Sequence, residues 1–246
     1  MNARPLLLPG GDLGREQHLW CYGWWGEPVI VFPSASGMAH EWQQHGMVEA
    51  LAPLIDAGRI KLYCPESNVS EAWTREDRPP EWRLHRHALY ERWVLDTLFP
   101  FIQADCALEH IRPAAAGCSF GGYYAAIFAL KHPERFSRAI CMSGRYEMTN
   151  FTSGLNNADV YFNNPLAFVP RLEGEALART RRTHLTLVCG TGKWEEGCIE
   201  ETLALAEWCR RKGIPHTRDI WGPETYHDWP CWKRQAVKHF GATFGG

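Results

Sequence analysis

The chain has 246 residues, with 26 Lys and Arg against 28 Asp and Glu and a formal net charge of −2. That balance excludes a basic nucleic-acid footprint as the main business of the surface, and it argues against an acidic disordered tail. The length suits a single α/β domain spanning residues 1–246, which would bury roughly 70% of its unfolded surface and needs no staples. Twelve Trp and nine Cys stand out. The cysteine count is odd and no C-x-x-C pair occurs, which argues against a disulfide framework or a zinc ribbon. Cys141 and Cys189 lie in apolar runs and read as small buried hydrophobes. A reducing, cytoplasmic setting fits best. The opening MNARPLLLPGG is too short in apolar residues for a signal peptide, and no stretch approaches the roughly 20 apolar residues of a membrane span.

In chain order, short apolar runs alternate with longer mixed segments. HLWCYG from His18, PVIVFP from Pro28, IKLYC from Ile60, PAAAG from Pro113, AICMS from Ala139, HLTLVCG from His184 and TRDIW from Thr217 read as strands, bounded by Gly, Pro or Ser. PVIVFP and HLTLVC are nearly continuous apolar runs, as central strands covered on both faces require. Between them the pattern predicts a first helix within 37–54, a long one over 84–102 that Pro100 should kink or end, and a short Ala-rich one over 123–131. A further helix over 196–211 carries acids in its first turns and basic residues at its end, followed by Gly213. A last helix covers 232–240. The alternation predicts an α/β fold: a mostly parallel central sheet with helices on both faces. Residues 144–183 lack strand signals and read as an insertion or lid over the functional edge.

The chemistry starts at Gly117-Cys118-Ser119-Phe120-Gly121, a G-x-S-x-G turn between a small-residue strand and an Ala-rich helix. Such an elbow holds a serine in strained backbone geometry with its Oγ exposed. The bland alternative is a Gly-rich turn whose serine caps the helix. Cys118 beside it should point into the sheet–helix packing. A serine is a weak nucleophile without a base. Among the 11 histidines, His227 lies in the loop before the last helix, where the Ser–acid–His chain order of α/β hydrolases puts the base. His239 falls within the helix and reads as solvated, and His216 precedes its strand. The acid should follow the penultimate strand. Glu195 lies in that loop, whereas Glu196 falls in the first helical turn, where the helix dipole alone explains an acid. Glu147 is a remote third choice, and Asp228 adjoins the base. Two backbone N–H groups must hold the oxyanion: that of Phe120, and one from the loop after the 28–33 strand, Ala35 with Ser36 as the alternative.

PVIVFPSASG, AGCSFGGYYAAIFALKHPERF, AICMSGRYE, VYFNNP and KGIPHTRDIWGPETYHDWPCW resemble the esterase branch of the α/β hydrolases, the group of esterase D-type, feruloyl-esterase-type and mycolyltransferase enzymes, and within it a compact bacterial subgroup. The resemblance runs from about residue 15 to the end, and GCSFGG and YHDWPCW are its most specific pieces. It implies an α/β-hydrolase fold and a Ser–acid–His triad acting on a small-molecule ester through an acyl-enzyme, carried by Ser119, Glu195 and His227, with no cofactor and no metal. Many relatives have Asp where this chain offers Glu195 and Glu196. An acyltransferase using the same triad and a non-catalytic binding protein on the same fold are the rivals; a homo-oligomer is compatible with either.

Other features read as structural. His85 and His87 cannot face each other on a helix and read as solvated. Arg179–Arg182 and Arg210–Lys212 read as solvated helix ends. Trp93, Trp208 and Trp232 read as packing residues, while Trp194, Trp229 and Tyr146 are candidates to line a pocket.

Overall fold

The computed structural model describes residues 3–246. Eight strands form one sheet: β1 (Ala3–Leu8), β2 (Gln17–Tyr22), β3 (Glu27–Phe32), β4 (Ile60–Pro65), β5 (Ala114–Cys118), β6 (Arg138–Met142), β7 (His184–Cys189) and β8 (His216–Ile220). Their spatial order is β1-β2-β4-β3-β5-β6-β7-β8. From β4 through β8 every pairing is parallel, and β1 and β2 add antiparallel strands at one edge. The chain runs outward from β3 to β4 and then returns to the other side of β3 as β5. The strand order thus reverses at β3 and β5, and open α/β sheets place their sites at the carboxyl ends of the strands at such a reversal.

Six helices matter for the site: α1 (Pro80–Trp93), α2 (Phe99–Cys106), α3 (Phe120–Lys131), α4 (Gly174–Thr180), α5 (Cys198–Lys212) and α6 (Trp229–Phe244). One core layer joins Tyr90, Trp93 and Ile102 to α3 and to Leu205 and Cys209 of α5. The other packs Trp42, Met47, Leu51 and Ile55 with Trp232, Ala236 and Phe240 of α6. The helix α3, wedged between sheet and neighbours, has eleven buried residues from Phe120 through Leu130, which explains its lack of an amphipathic pattern. Gly213 takes a left-handed conformation after α5 (φ 64°), the ordinary C-cap role of glycine.

Several expectations need correction. The strand β1 was not predicted; it holds Pro5 at a sheet edge, where a missing N–H is tolerated. The predicted helix over 37–54 is three short turns, Glu41–Gln44, Met47–Ala50 and Ala52–Asp56, interrupted where Gly46 turns left-handed (φ 72°). Pro100 does not end the helical run: regular α-helix gives way to a π turn over Val94–Leu98 just before it and resumes through Cys106. His85 is exposed, but His87 is buried and pairs its Nε2 with Asn163 Oδ1 at 3.1 Å. Burial lowers its pKa to about 4, so it sits neutral in the core. His239 is also buried, 2.8 Å from Asp219. The backbone of 144–183 forms several short helical turns. Tyr123 of α3 donates its hydroxyl to Asn163 O at 2.9 Å, and Glu201 of α5 accepts from the amides of Tyr146 and Glu147. Among the described residues no helix is long and apolar enough to cross a membrane.

Candidate active site

The strand β5 ends in a turn so tight that side chains cannot fit beside it. A Cβ on Gly117 would lie 2.3 Å from the Gly121 backbone, and one on Gly121 would lie 2.2 Å from Phe32 O. These close approaches press α3 against β5 and the loop after β3. Ser119 between them holds φ 55° and ψ −122°, a conformation a non-glycine residue keeps only when its surroundings impose it. Its side chain is half-buried.

Ser119 Oγ lies 3.0 Å from His227 Nε2, and His227 Nδ1 lies 3.0 Å from Glu195 Oε2. Because an ionised carboxylate can only accept, Nδ1–H donates to Glu195 and the bare Nε2 accepts the Ser119 hydroxyl. The two loops that carry Glu195 and His227 are interlocked: Gly192 N–H donates to Thr225 O at 2.9 Å and His227 N–H to Lys193 O at 3.1 Å. The Asp228 carboxylate instead caps α6, accepting from Trp229 N–H at 2.7 Å. Glu196, the alternative acid, is exposed to solvent, and Glu147 accepts from Thr149 and Asn164.

Glu195 is 1% exposed, and a buried carboxylate must be heavily hydrogen-bonded. It accepts from the Ser143 hydroxyl at 2.6 Å, Cys189 Sγ at 3.3 Å and Gly190 N–H at 3.3 Å, besides His227. Burial pushes its pKa up, but the bonds from His227 and Ser143 outweigh burial and hold it below the ordinary value. Ser143 in turn accepts Trp232 Nε1–H at 3.1 Å. The Trp232 ring stands edge-on to His227, centroids 4.9 Å apart. A relay thus runs Trp232–Ser143–Glu195–His227–Ser119, and its first two members escaped sequence reasoning. The only signal for Ser143 was its place just past β6. Trp232 was read as packing; it is buried, but its N–H has this polar task.

Four of the six described non-glycine residues with positive φ gather here: Ala35 (39°), Ser119 (55°), Ser143 (50°) and Trp194 (65°). Each such conformation costs of order 1–3 kcal/mol and clusters at working sites.

The Phe120 amide opens α3, so it has no intrahelical partner. Ala35 and Ser36 are exposed on the loop after β3. Among the described residues the amides of Phe120, Ala35 and Ser36 donate to no protein acceptor, whereas Ser34 N–H is taken by Glu41 at 2.7 Å. Cys118 is fully buried, and burial raises its thiol well above the ordinary range, so it faces the packing. Glu195, Cys198 and His227 also bring one donor atom each within 4.8 Å. Burial pushes the Cys198 thiol up to about 12, and a metal would first have to displace that proton.

Of the aromatic candidates, Trp194 is exposed at 58% beside Lys193, whose Nζ sits 4.0 Å from its ring centre. Trp229 is half-buried and stacks on His45 at 4.2 Å. Tyr146 is wholly buried, within the core layer that contains α3. Phe151, near the start of 144–183, meets Phe120 edge-on at 5.0 Å.

The sheet, its order reversal at β3 and the strained serine turn at the end of β5 define an α/β hydrolase. A family model described as "Putative esterase" matches residues 27–240. The chain belongs to that family and is by that membership a carboxylic ester hydrolase. Similar solved structures include a ferulic acid esterase (16% identity, TM-score 0.79, covering 99% of this chain and 97% of that one). The fluorophosphonate-binding serine hydrolase FphF of Staphylococcus aureus shares 15% identity (TM-score 0.76, 99% and 98% covered). MPT51 (FbpC1) of Mycobacterium tuberculosis shares 18% (TM-score 0.74, 100% and 98% covered). At these identities the likeness is one of fold. No curated protein sequence matches significantly.

Proposed function

We propose that the chain hydrolyses small carboxylic esters through a Ser119–His227–Glu195 triad and an acyl-enzyme. The observation that carries this reading is the unbroken line of two 3.0 Å hydrogen bonds from a strained, accessible serine to a buried carboxylate. Ser119 Oγ attacks the ester carbonyl carbon while its proton passes to His227 Nε2. Glu195 holds the imidazole in the tautomer that leaves Nε2 bare, and it stabilises the imidazolium that forms. The carbonyl oxygen becomes an oxyanion, accepting from the amides of Phe120 and Ala35, with Ser36 the alternative to Ala35. When the tetrahedral adduct collapses, Nε2–H protonates the departing alkoxide. Water then gives a proton to Nε2, attacks the acyl carbon, and frees the acid and Ser119. No step calls on a cofactor. We take the chain as one domain, with 144–183 as an insertion whose Phe151 forms one wall beside Phe120.

The test uses a fluorophosphonate and short-chain aryl esters. Labelling at the Ser119 peptide, with both labelling and turnover lost in Ser119→Ala, is the expected result. Equal turnover by Ser119→Ala would overturn the reading.

A further inference from the structure

We propose that Glu41 is a positioning residue for the oxyanion site, setting the Ser34–Gly37 turn from one side while Ser67 holds it from the other. The proposal rests on the reading that the amide of Ala35 or Ser36 faces the developing oxyanion.

The turn leaves β3 immediately after Pro33 and closes on itself through Gly37 N–H to Ser34 O at 2.9 Å. Glu41, on the first helical turn after it, sends a buried carboxyl back beneath the turn. One oxygen accepts Ser34 N–H at 2.7 Å and the other accepts Ser34 Oγ–H at 2.9 Å. A Cβ on Gly37 would lie 2.2 Å from Glu41 Oε1, so turn and carboxyl are in direct contact. From the opposite side, Ser67 Oγ–H donates to Ala35 O at 2.6 Å and Ser67 N–H to Gly37 O at 3.0 Å. Ser67 Oγ is fixed in turn by Val69 N–H at 3.0 Å.

The consequence is selective. Ser34 N–H is consumed and Gly37 N–H is consumed, which leaves the amides of Ala35 and Ser36 to donate outward. The Ala35 carbonyl is pinned while its φ sits at 39°, so its peptide cannot relax toward ordinary geometry without breaking the Ser67 bond. Electrostatic preorganisation of this kind is effective because the donors need no reorganisation as charge develops. Ionised, a carboxyl suits position 41 because it offers an acceptor to each of two donors; burial pushes its pKa up to about 7 while the Ser34 bonds pull it down. Gln offers one carbonyl and turns an amide N–H toward the other.

The experiment compares Glu41→Ala, Glu41→Gln and Ser67→Ala with the unmodified chain. The readouts are kcat and KM on a short-chain aryl ester, Ki for an aryl trifluoromethyl ketone whose adduct bears an oxyanion, and Tm. In Glu41→Ala, kcat/KM is expected to fall about 10²-fold, the scale of losing one oxyanion donor. Ki should rise in parallel and KM should change less than about threefold if the group acts only in the transition state. Glu41→Gln should recover part of both, and Ser67→Ala should lose part of both. Should Glu41→Ala fail to fold, the other two variants carry the comparison. Unchanged kcat/KM and Ki, or a fall in Tm alone, would overturn the role of Glu41. Turnover by Ser119→Ala would instead overturn the triad on which it rests, so the two failures are told apart.

Discussion

Replacing Glu195 by Gln perturbs the site at its most constrained point. The carboxylate accepts four donors, from His227, Ser143, Cys189 and Gly190, while 1% exposed. A glutamine supplies one acceptor oxygen and two N–H donors in the same space. If its oxygen faces Ser143 and Gly190, its NH2 points at His227 Nδ1. The imidazole then takes the other tautomer, with Nε2–H aimed at Ser119 and no base left. If its oxygen faces His227, Gly190 N–H meets an N–H and stays unpaired. The kinetic cost should be about 10³–10⁴-fold in kcat, the scale seen when a triad acid is made an amide. One unpaired buried donor costs about 1–3 kcal/mol, which in a chain of this length lowers Tm by roughly 2–12 °C. The assay is steady-state hydrolysis of an aryl ester beside a thermal melt. Glu196→Gln, at an exposed position, serves as the matched control and should stay within about twofold of the parent. A larger loss in Glu196→Gln, or an undiminished kcat in Glu195→Gln, would refute the reasoning.

Ser143→Ala removes a charge-assisted bond worth about 1.5–3 kcal/mol, so kcat should fall roughly 10- to 100-fold. Trp232→Phe, which keeps the ring against His227 but deletes the N–H to Ser143, should cost less; a larger loss in Trp232→Phe would contradict the relay order. Cys118→Ala should keep activity within a few-fold, because the thiol is fully buried in the core; loss comparable to Ser119→Ala would reopen the choice of nucleophile. His87 has its pKa lowered to about 4 by burial, from an ordinary value near 6.5. The folded state therefore binds the proton less readily than the unfolded chain. Its stability contribution is fully present above pH ~6.5 and is lost as pH falls toward ~4, by at most about 3 kcal/mol. Urea unfolding of His87→Gln should show a shallower decline over that window; an unchanged decline would assign it to other groups.

The parts of this molecule that local sequence dictates were legible. Seven strands stood out because central parallel strands are short apolar runs ending at turn residues, and the serine turn announced itself through glycines that close backbone contact demands. Ser119, Glu195 and His227, which the fold brings into one line, were each named from chain order and from the difference between a loop acid and a first-turn acid. What stayed hidden depends on tertiary contact. Nothing local tells that Trp232 donates to Ser143, a residue 89 positions away, or that Glu41 reaches back to Ser34. The exposed-looking His87 and His239 are buried because neighbouring elements cover one helix face, and β1 was missed because a proline-containing strand pairs on one side only.

The central claim is that ester cleavage passes through an acyl group on Ser119. Mass spectrometry of the protein, quenched during turnover of a slowly deacylated ester and read first intact and then after digestion, tests it most directly. An adduct of the acyl mass on the Ser119 peptide, accumulating in His227→Ala no faster than in the parent and absent from Ser119→Ala, is the predicted result. An adduct on another residue, or an identical adduct in Ser119→Ala, would contradict it.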